Sequence, residues 1–279
     1  MTARIAIVTT VDLAEPDADE LLLLPHLPEA ELVAWDNPDV DWSTYEVAIL
    51  RSTWNYTERL DDFLAWASKV SGLTRLVNPL ETIVWNTDKR YLDDLAARGI
   101  PVVPTAFVAP GETADALAGS VVVKPSVGAG SAGAALFHDD PEAAAAHLAS
   151  LHADGRVAMI QPYLAQVDEA GETALIYLGG RFSHAARKAA ILSADMTNST
   201  GLYADEKITR CEPTEAERAL ADRVVATLPE GLAYARVDLL PTDDGPVVLE
   251  LELTEPSLFL GMDDAAPARA AREFRALLG

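Results

Sequence analysis

Three acidic residues near the end of the chain, Asp238, Glu250 and Glu252, have the types and the spacing that metal ligands need. They lie in the segment AYARVDLLPTDDGPVVLELELT (233–254), where two runs rich in valine and leucine flank a polar turn. This pattern predicts a β-hairpin, and the alternation of side chains along each strand puts the three carboxylates on one face. Like charges that face each other destabilise a sheet, and Mg²⁺ prefers carboxylate and phosphate oxygens. The hairpin therefore predicts a magnesium site, and a solvated acidic face is the alternative.

The register of this hairpin follows from its turn. With the turn centred on Asp244, Asp238 lies opposite Glu250. Arg236 then lies opposite Glu252, where it would orient that carboxylate. The other, buried face should carry six apolar side chains: Ala235, Val237, Leu239, Leu249, Leu251 and Leu253.

Composition limits the class of protein. The chain has 279 residues, of which 49% are hydrophobic, so it can build a substantial core. A formal net charge of −23 argues against sequence-independent binding of nucleic acid or of an anionic membrane, since both need a basic surface. No run approaches the roughly 18 apolar residues of a membrane span, and the first apolar run is too short for a signal peptide. One cysteine excludes a disulfide framework, and we expect a soluble, cytoplasmic protein.

The order of the predicted elements indicates a mixed α/β chain. Strands and helices alternate over residues 1–80, which is typical of a small parallel α/β domain. Residues 81–165 and 166–279 are predicted to form two further units of α+β character. The second unit includes a short helix near Thr113–Leu117, and the third includes a loop around Ala194–Glu206.

The glycine-rich segment GAGSAG (128–133) matches the pattern G-x-G-x-x-G of dinucleotide-binding proteins. In those proteins the loop opens directly into a helix, whereas here the apolar residues AALF follow it and predict a strand. The loop is therefore expected to join two strands, which disfavours a nicotinamide-dependent oxidoreductase. Backbone N–H groups of small residues can still approach anionic oxygens, so the loop suits phosphate. An ordinary flexible hairpin is the alternative.

Two lysines favour the phosphate interpretation. Lys124 follows the apolar run VVV and should be drawn inward on a strand, where an unpaired ammonium is costly. Lys89 lies in the first turn of a helix predicted to begin at Asp88, a position that disfavours a cation unless an anion is close. A polyphosphate would satisfy both lysines, and two merely exposed side chains are the alternative.

A polar and aromatic segment, RSTWNY (51–56), follows a predicted parallel strand. Ligands bind beyond the carboxyl ends of such strands, so this segment is a candidate substrate site. Its candidate binding residues are Arg51, Ser52, Thr53, Trp54 and Tyr56. Packing of the two aromatic rings in the core is the alternative, and their polar neighbours favour binding.

Taken in order along the chain, these motifs resemble those of the ATP-grasp superfamily. The shared features are a lysine on a helix, a lysine on a strand before a small-residue loop, an adenine-binding linker and a late acidic metal triad. In this chain they correspond to Lys89, Lys124, residues 128–133, the linker Gln161-Pro162-Tyr163-Leu164, and Asp238 with Glu250 and Glu252. The chain departs from the pattern at Gln161, where many members have glutamate, and at Glu252, where members have asparagine.

The resemblance implies an ATP-grasp fold, in which two α+β units clasp ATP, and it implies ATP and Mg²⁺ as cofactors. The acidic triad would hold the metal. Arg187 would be catalytic, as the family arginine that stabilises the transferring phosphoryl group, together with Lys124. The ribose would be read by Asp168, Glu169 or Glu172. The implied nucleotide-binding set is Lys89, Lys124, Gly128, Gly130, Ser131, Gly133, Gln161, Pro162, Tyr163, Leu164, Glu169 and Glu172.

Three stretches carry a closer resemblance: RSTWNY (51–56), WNTDKRYL (85–92) and LELELTEPSLF (249–259). They resemble small-molecule ligases similar to prokaryotic glutathione synthetase, and most of all the O-ureido-serine cyclo-ligases of cycloserine biosynthesis. This implies an ATP-dependent carboxylate–amine ligase of antibiotic biosynthesis that works through an acyl phosphate and releases ADP and phosphate. The substrate would be a small, amino-acid-like molecule bound between the first stretch and Glu255 and Ser257.

Two alternatives stay open at this point, one from the same class and one from another. One is an intermolecular amide ligase, and the other is a non-catalytic nucleotide-binding protein with the same fold. The intact lysines and acidic positions disfavour the second alternative. A homodimer stays open as the oligomeric state.

Overall fold

The structure, a computed structural model, describes residues 4–114, 117–189 and 207–279. The loop predicted around Ala194–Glu206 lies outside these residues, as does the middle of the helix predicted near Thr113–Leu117, whose described ends are not helical. Three sheets follow one another along the described chain. This architecture confirms the predicted α/β class, while the unit boundaries at residues 80 and 165 stay predictions.

The first sheet is parallel, as the alternation of strands and helices predicted. Its strands are β1 (Ile5–Thr9), β2 (Ala30–Ala34), β3 (Val47–Leu50) and β4 (Arg75–Val77), and its helices are α1 (Ala18–Leu23) and α2 (Leu60–Ser71). The strand order is β2-β1-β3-β4. Side chains of β1 and β3 are buried on both faces of the sheet because both strands are almost wholly apolar. Because β1 and β3 are parallel neighbours, their carboxyl ends lie side by side, and segment 51–56 begins there.

The second sheet is antiparallel, in the order β5-β8-β6-β7, and helices lie before it and against it. Its elements are α3 (Leu80–Asn86), α4 (Tyr91–Ala97), β5 (Ala106–Val108), β6 (Val121–Pro125), β7 (Ala135–Phe137), α5 (Pro141–Ala153) and β8 (Ala158–Pro162). The loop 128–133 joins the neighbouring strands β6 and β7, which confirms that it is not a dinucleotide-binding turn. The helix predicted to begin at Asp88 begins at Tyr91, so Lys89 lies in the turn before it.

The third sheet is also antiparallel and has the order β11-β10-β9-β12-β13. Its elements are α6 (Gln166–Ala170), β9 (Glu172–Leu178), β10 (Arg181–Lys188), β11 (Ile208–Cys211), α7 (Glu215–Val225), β12 (Tyr234–Leu240), β13 (Val247–Glu252) and α8 (Ala266–Arg275). Thr214 caps α7 through a capping box with Glu217. The acidic hairpin is thus the β12–β13 edge of a five-stranded sheet.

The predicted register of this hairpin is confirmed at its acidic end. Asp238 pairs with Glu250. A β-bulge follows, so Leu239 pairs with Val248 instead of Leu249. The expectation that Leu249 faces the core was therefore wrong: Val248 is buried there, and Leu249 lines a cavity.

The parallel sheet is fixed to the acidic hairpin by buried polar side chains. The Asn78 amide donates to the carbonyl oxygens of Tyr234 (3.0 Å) and Leu253 (2.8 Å). Asn86 donates to the carbonyl oxygen of Leu251 at 2.8 Å and accepts from the N–H of Leu253 at 2.6 Å. The contacts to Leu251 and Leu253 satisfy backbone groups of β13 and of its continuation, which form an edge of the five-stranded sheet. They hold the two units in one arrangement around the site.

Candidate active site

A cavity of about 690 Å³ is lined by residues from all three parts of the fold. Sixteen of the residues predicted from the sequence line it: Trp54, Tyr56, Lys89, Lys124, Gly128, Gly130, Ser131, Gln161, Pro162, Tyr163, Leu164, Glu172, Glu250, Glu252, Glu255 and Ser257. Asp238 lies behind this wall and is 0% exposed. The fold therefore brings most of the predicted site into one place.

The three predicted metal ligands converge. Asp238, Glu250 and Glu252 each offer a carboxylate oxygen, and the three oxygens lie within 4.8 Å of one another. Glu250 and Glu252 are only partly buried, so their oxygens face the cavity. The set has the oxygen chemistry that Mg²⁺ prefers, and its geometry fits a divalent ion.

Two cations neutralise the buried carboxylate of this set. Arg236 donates to Asp238 at 2.9 and 2.8 Å and also contacts Glu252. Lys188 donates to Asp238 at 3.0 Å and contacts Glu172 on its other side. Burial alone would raise the pKa of Asp238, but the charges of Arg236 and Lys188 outweigh it and hold that pKa below its ordinary value.

Lys89 links the loop 128–133 to the acidic hairpin. Its ammonium lies 2.9 Å from Glu250 and donates to the carbonyl oxygen of Gly128 at 2.7 Å. Burial would lower the pKa of Lys89, but the charge of Glu250 more than compensates and the pKa is raised. The lysine that was expected to need an anion therefore has one in the absence of any ligand.

The surroundings of Lys124 differ from those of Lys89. Lys124 lies on β6 and lines the cavity, and no acceptor or carboxylate among the described residues pairs with it. Burial lowers the pKa of its ammonium, which is the expected response of a desolvated cation. An anion that entered the cavity would supply the missing partner.

The loop between β6 and β7 depends on its small residues. Gly130, Ser131 and Gly133 have φ values of 57°, 61° and 74°, a region that most side chains avoid. A Cβ at Gly128 would approach the ring of Pro125 to 3.3 Å. Larger residues at the glycine positions would therefore strain the loop.

The predicted adenine linker forms one end of the cavity. Gln161 is buried and donates to Thr105 at 2.9 Å, and the N–H of Tyr163 donates to the carbonyl oxygen of Ser120 at 2.8 Å. Several apolar side chains complete this end: Val103, Val122, Leu164, Val167, Leu240 and Leu249. A flat, largely apolar ring system fits such a lining.

Arg187 does not face the cavity, which corrects the expectation that it would contact the phosphates. It donates to the carbonyl oxygen of Ala170 at 2.9 Å and lies 3.8 Å from Glu217, on the α7 side of the sheet. Side chains alternate along β10, so its neighbour Lys188 points to the other face and lines the cavity. Lys188 was missed in the sequence, although the pairing of β9 with β10 sets it opposite Glu172.

Six other predicted residues also lie outside the lining: Arg51, Ser52, Thr53, Gly133, Asp168 and Glu169. Arg51 is 3% exposed, donates to the carbonyl oxygen of Pro256 at 2.6 Å and lies 3.6 Å from Asp19. Ser52 contacts Glu20 in the same buried cluster. This cluster holds the turn after β13 in place and is not open to a substrate.

The turn after β13 does reach the cavity through Glu255. The hydroxyl of Tyr56 donates to the Glu255 carboxylate, and the indole of Trp54 donates to the Glu255 carbonyl oxygen at 3.3 Å. Burial raises the pKa of Glu255 to about 7. The aromatic residues of segment 51–56 are thus both packed and at the edge of the cavity.

Comparison with known proteins identifies the family. Residues 5–78 match the family described as the N-terminal domain of D-cycloserine synthetase DcsG. The cycloserine biosynthesis protein DcsG of Streptomyces lavendulae is 40% identical over 261 residues, covering 87% of each chain. The chain belongs to the D-cycloserine synthetase family.

Solved structures agree with this assignment. The crystal structure of D-cycloserine synthetase DcsG has a TM-score of 0.88 and 36% identity, with 99% of both chains covered. An ATP-grasp RimK domain protein from Sphaerobacter thermophilus has a TM-score of 0.67 at 20% identity, covering 97% of this chain and 99% of that one. D-alanine–D-alanine ligase from Bacillus anthracis, solved with ATP, has a TM-score of 0.63 at 16% identity, covering 99% of this chain and 96% of that one. The last two relatives show the fold alone.

These findings confirm the predicted ATP-grasp fold and the prediction of an ATP-dependent ligase. The match to D-cycloserine synthetase also agrees with a small-molecule substrate. None of the helices in the described ranges has the length and apolar character to cross a bilayer. The roles of single residues stay proposals.

Proposed function

We propose that this chain is a cyclo-ligase that uses ATP to close D-cycloserine from O-ureido-D-serine, with ADP and phosphate as products. The family relationship carries this proposal, because the named activity of the relative that is 40% identical is cycloserine biosynthesis. The cavity supports it, since phosphate-binding groups, a candidate metal site and a candidate amino-acid site lie in the same space.

ATP would occupy the cavity from the apolar end to the acidic hairpin. The adenine would lie at Leu164 and Val122, and the phosphates would reach Lys124 and the N–H groups of loop 128–133. The unpartnered ammonium of Lys124 supports this orientation, because a phosphate would compensate the burial of its charge. Asp168 and Glu169 do not line the cavity, so we assign contact with the ribose to the region of Glu172.

Asp238, Glu250 and Glu252 would hold Mg²⁺. When bound, the ion would offset the charge of the β- and γ-phosphates and so favour phosphoryl transfer. Lys188 and Arg236 keep the buried carboxylate ionised, so it is ready to bind a cation near neutral pH. Arg236, which also lines the cavity, would replace Arg187 as the arginine closest to the reacting groups.

The reaction would proceed by two displacements. A carboxylate oxygen of the substrate attacks the γ-phosphorus, ADP leaves, and an acyl phosphate forms. The nitrogen bonded to oxygen in the same molecule then attacks the acyl carbon, loses its proton, and releases phosphate as the ring closes. Stoichiometry requires one water to remove the carbamoyl group as carbon dioxide and ammonia. Positioning by the cavity walls favours the intramolecular attack.

Incubation of the protein with O-ureido-D-serine, ATP and Mg²⁺ tests the proposal. We expect equal amounts of ADP, phosphate and D-cycloserine, with no added amine, measured by chromatography and mass spectrometry. Release of ADP only after a separate amine is added would indicate the intermolecular ligase instead. Detection of AMP and pyrophosphate, or of nucleotide binding without turnover, would contradict the proposed reaction.

Lys124→Ala should weaken ATP binding by about 10- to 100-fold, because a charge-assisted contact to phosphate is lost. The measurement is the rise in melting temperature that ATP produces over a range of concentrations. Without ATP the variant should melt no lower than the wild type, since the substitution removes a buried cation that has no partner. Lys69→Ala, at an exposed position, is the matched control. An ATP response equal to that of the wild type would place Lys124 outside the nucleotide site.

A further inference from the structure

Five acids on β9, on the acidic hairpin and just after the hairpin differ in whether a lysine or arginine nitrogen lies within ion-pair distance. Four of them have a lysine or arginine nitrogen within ion-pair distance: Glu172 with Lys188, Asp238 with Lys188 and Arg236, Glu250 with Lys89, and Glu252 with Arg236. Glu255 has no such partner among residues 4–114, 117–189 and 207–279, although it is only 8% exposed. Burying a carboxylate without a cation is costly, so this position calls for an explanation.

The surroundings of Glu255 fix its carboxylate at the cavity wall. The Tyr56 hydroxyl donates to it, and the Trp54 indole holds its backbone oxygen at 3.3 Å. Arg51 donates to the next carbonyl oxygen, that of Pro256, at 2.6 Å. Three side chains of segment 51–56 therefore position the Glu255 turn, while none of them pairs with its carboxylate as a cation. Burial raises its pKa to about 7, against the hydrogen bond from Tyr56 and the charges of Lys89 and Arg236, which act to lower it.

We propose that the Glu255 carboxylate, held by Tyr56, binds the α-ammonium group of the amino-acid substrate. This inference rests on the proposed function and adds the group that selects an amino acid over a simple carboxylic acid. Glu255 follows the acidic hairpin by three residues, so a substrate anchored there would lie next to the candidate metal site. Lys124 and the loop 128–133 belong to a different sheet, so the cavity wall offers, among the described residues, an anion and a cation that each lack an ion-pair partner.

The test compares two substrates in two enzymes. One substrate is O-ureido-D-serine, and the other is its analogue with hydrogen in place of the amino group, 3-(ureidooxy)propanoate. In the wild type, phosphate release should show a kcat/KM about 10- to 100-fold lower for the analogue, the range expected for a charge-assisted hydrogen bond. In Glu255→Gln the two values should be within about threefold of each other, because only the amino substrate loses a contact.

Controls separate binding of the ammonium from a structural role. Glu58→Gln, at an exposed position of the same segment as Tyr56, should discriminate as the wild type does. Glu255→Gln should melt no lower than the wild type at pH 8, because it removes an unpaired buried charge, and its response to ATP should be unchanged. Should Glu255→Gln fail to fold, Tyr56→Phe provides a second variant, in which discrimination should fall by about threefold through the weaker hold on Glu255.

Retained discrimination in Glu255→Gln would overturn the inference, and so would an equal loss of activity with both substrates. A wild-type enzyme that uses both substrates equally well would also overturn it while leaving the proposed ligase reaction intact. Absence of ADP formation by the wild type with either substrate would instead contradict the proposed function.

Discussion

Asp238→Asn is expected to lower kcat/KM for ADP formation by about a hundred- to a thousandfold, the loss typical of a single electrostatic contact to the reacting groups. Asp238 is fully buried, and its oxygens join Arg236, Lys188 and the cavity carboxylates in one cluster. The amide has nearly the same shape but no charge, so the cluster would bind a metal ion more weakly. It would also leave two cations with less compensation.

The dependence on Mg²⁺ identifies the cause of this loss. In the variant, the concentration of Mg²⁺ needed for half-maximal activity should rise at least tenfold, since one of three charged ligands is neutralised. Asp244→Asn, in the exposed turn of the same hairpin, should behave as the wild type. Equal Mg²⁺ dependence of Asp238→Asn and wild type, with both proteins folded by circular dichroism, would argue that the cluster does not bind the metal.

The acidic hairpin shows what a local pattern can predict. Two apolar runs with alternating character and a turn between them define both strands, and the pairing of Asp238 with Glu250 followed from the turn alone. The bulge beyond this pair was not predictable, because either residue could have been the extra one in a run of valines and leucines. The bulge places Leu249 on the cavity wall and not in the core, where the regular register would have put it.

Contacts between distant segments were harder to predict. Arg51 has the residue type and the strand-end position of a substrate-binding group, yet it supports the carbonyl oxygen of Pro256. A sequence gives no sign that a loop some two hundred residues later will cover that strand end. The partner of a polar side chain depends on the packing of whole units, whereas the face of a strand on which it lies depends only on local alternation.

Lys188→Gln should lower kcat/KM by about a hundred- to a thousandfold, whereas Arg187→Gln should change it by less than about threefold. The two residues are neighbours on β10, and alternation sends them to opposite faces of the sheet. Lys188 lies between Glu172 and Asp238 at the cavity, where its charge would compensate both the carboxylates and the incoming phosphates. Arg187 faces α7, where it donates to the carbonyl oxygen of Ala170, lies 3.8 Å from Glu217 and contacts Cys211.

Steady-state phosphate release at saturating ATP and the melting temperature of each variant measure this difference. Arg187→Gln should cost at most about 1 kcal/mol of stability, because its ion pair is long and partly exposed. Lys188→Gln leaves two carboxylates facing each other, so Lys188→Arg serves as the variant that keeps the charge and should recover part of the activity. If Arg187→Gln were the inactive variant and Lys188→Gln the active one, the phosphates would have to approach from the α7 side of the sheet. That result would contradict the assignment of the cavity as the active site, since the face of β10 that lines it carries Lys188 and not Arg187.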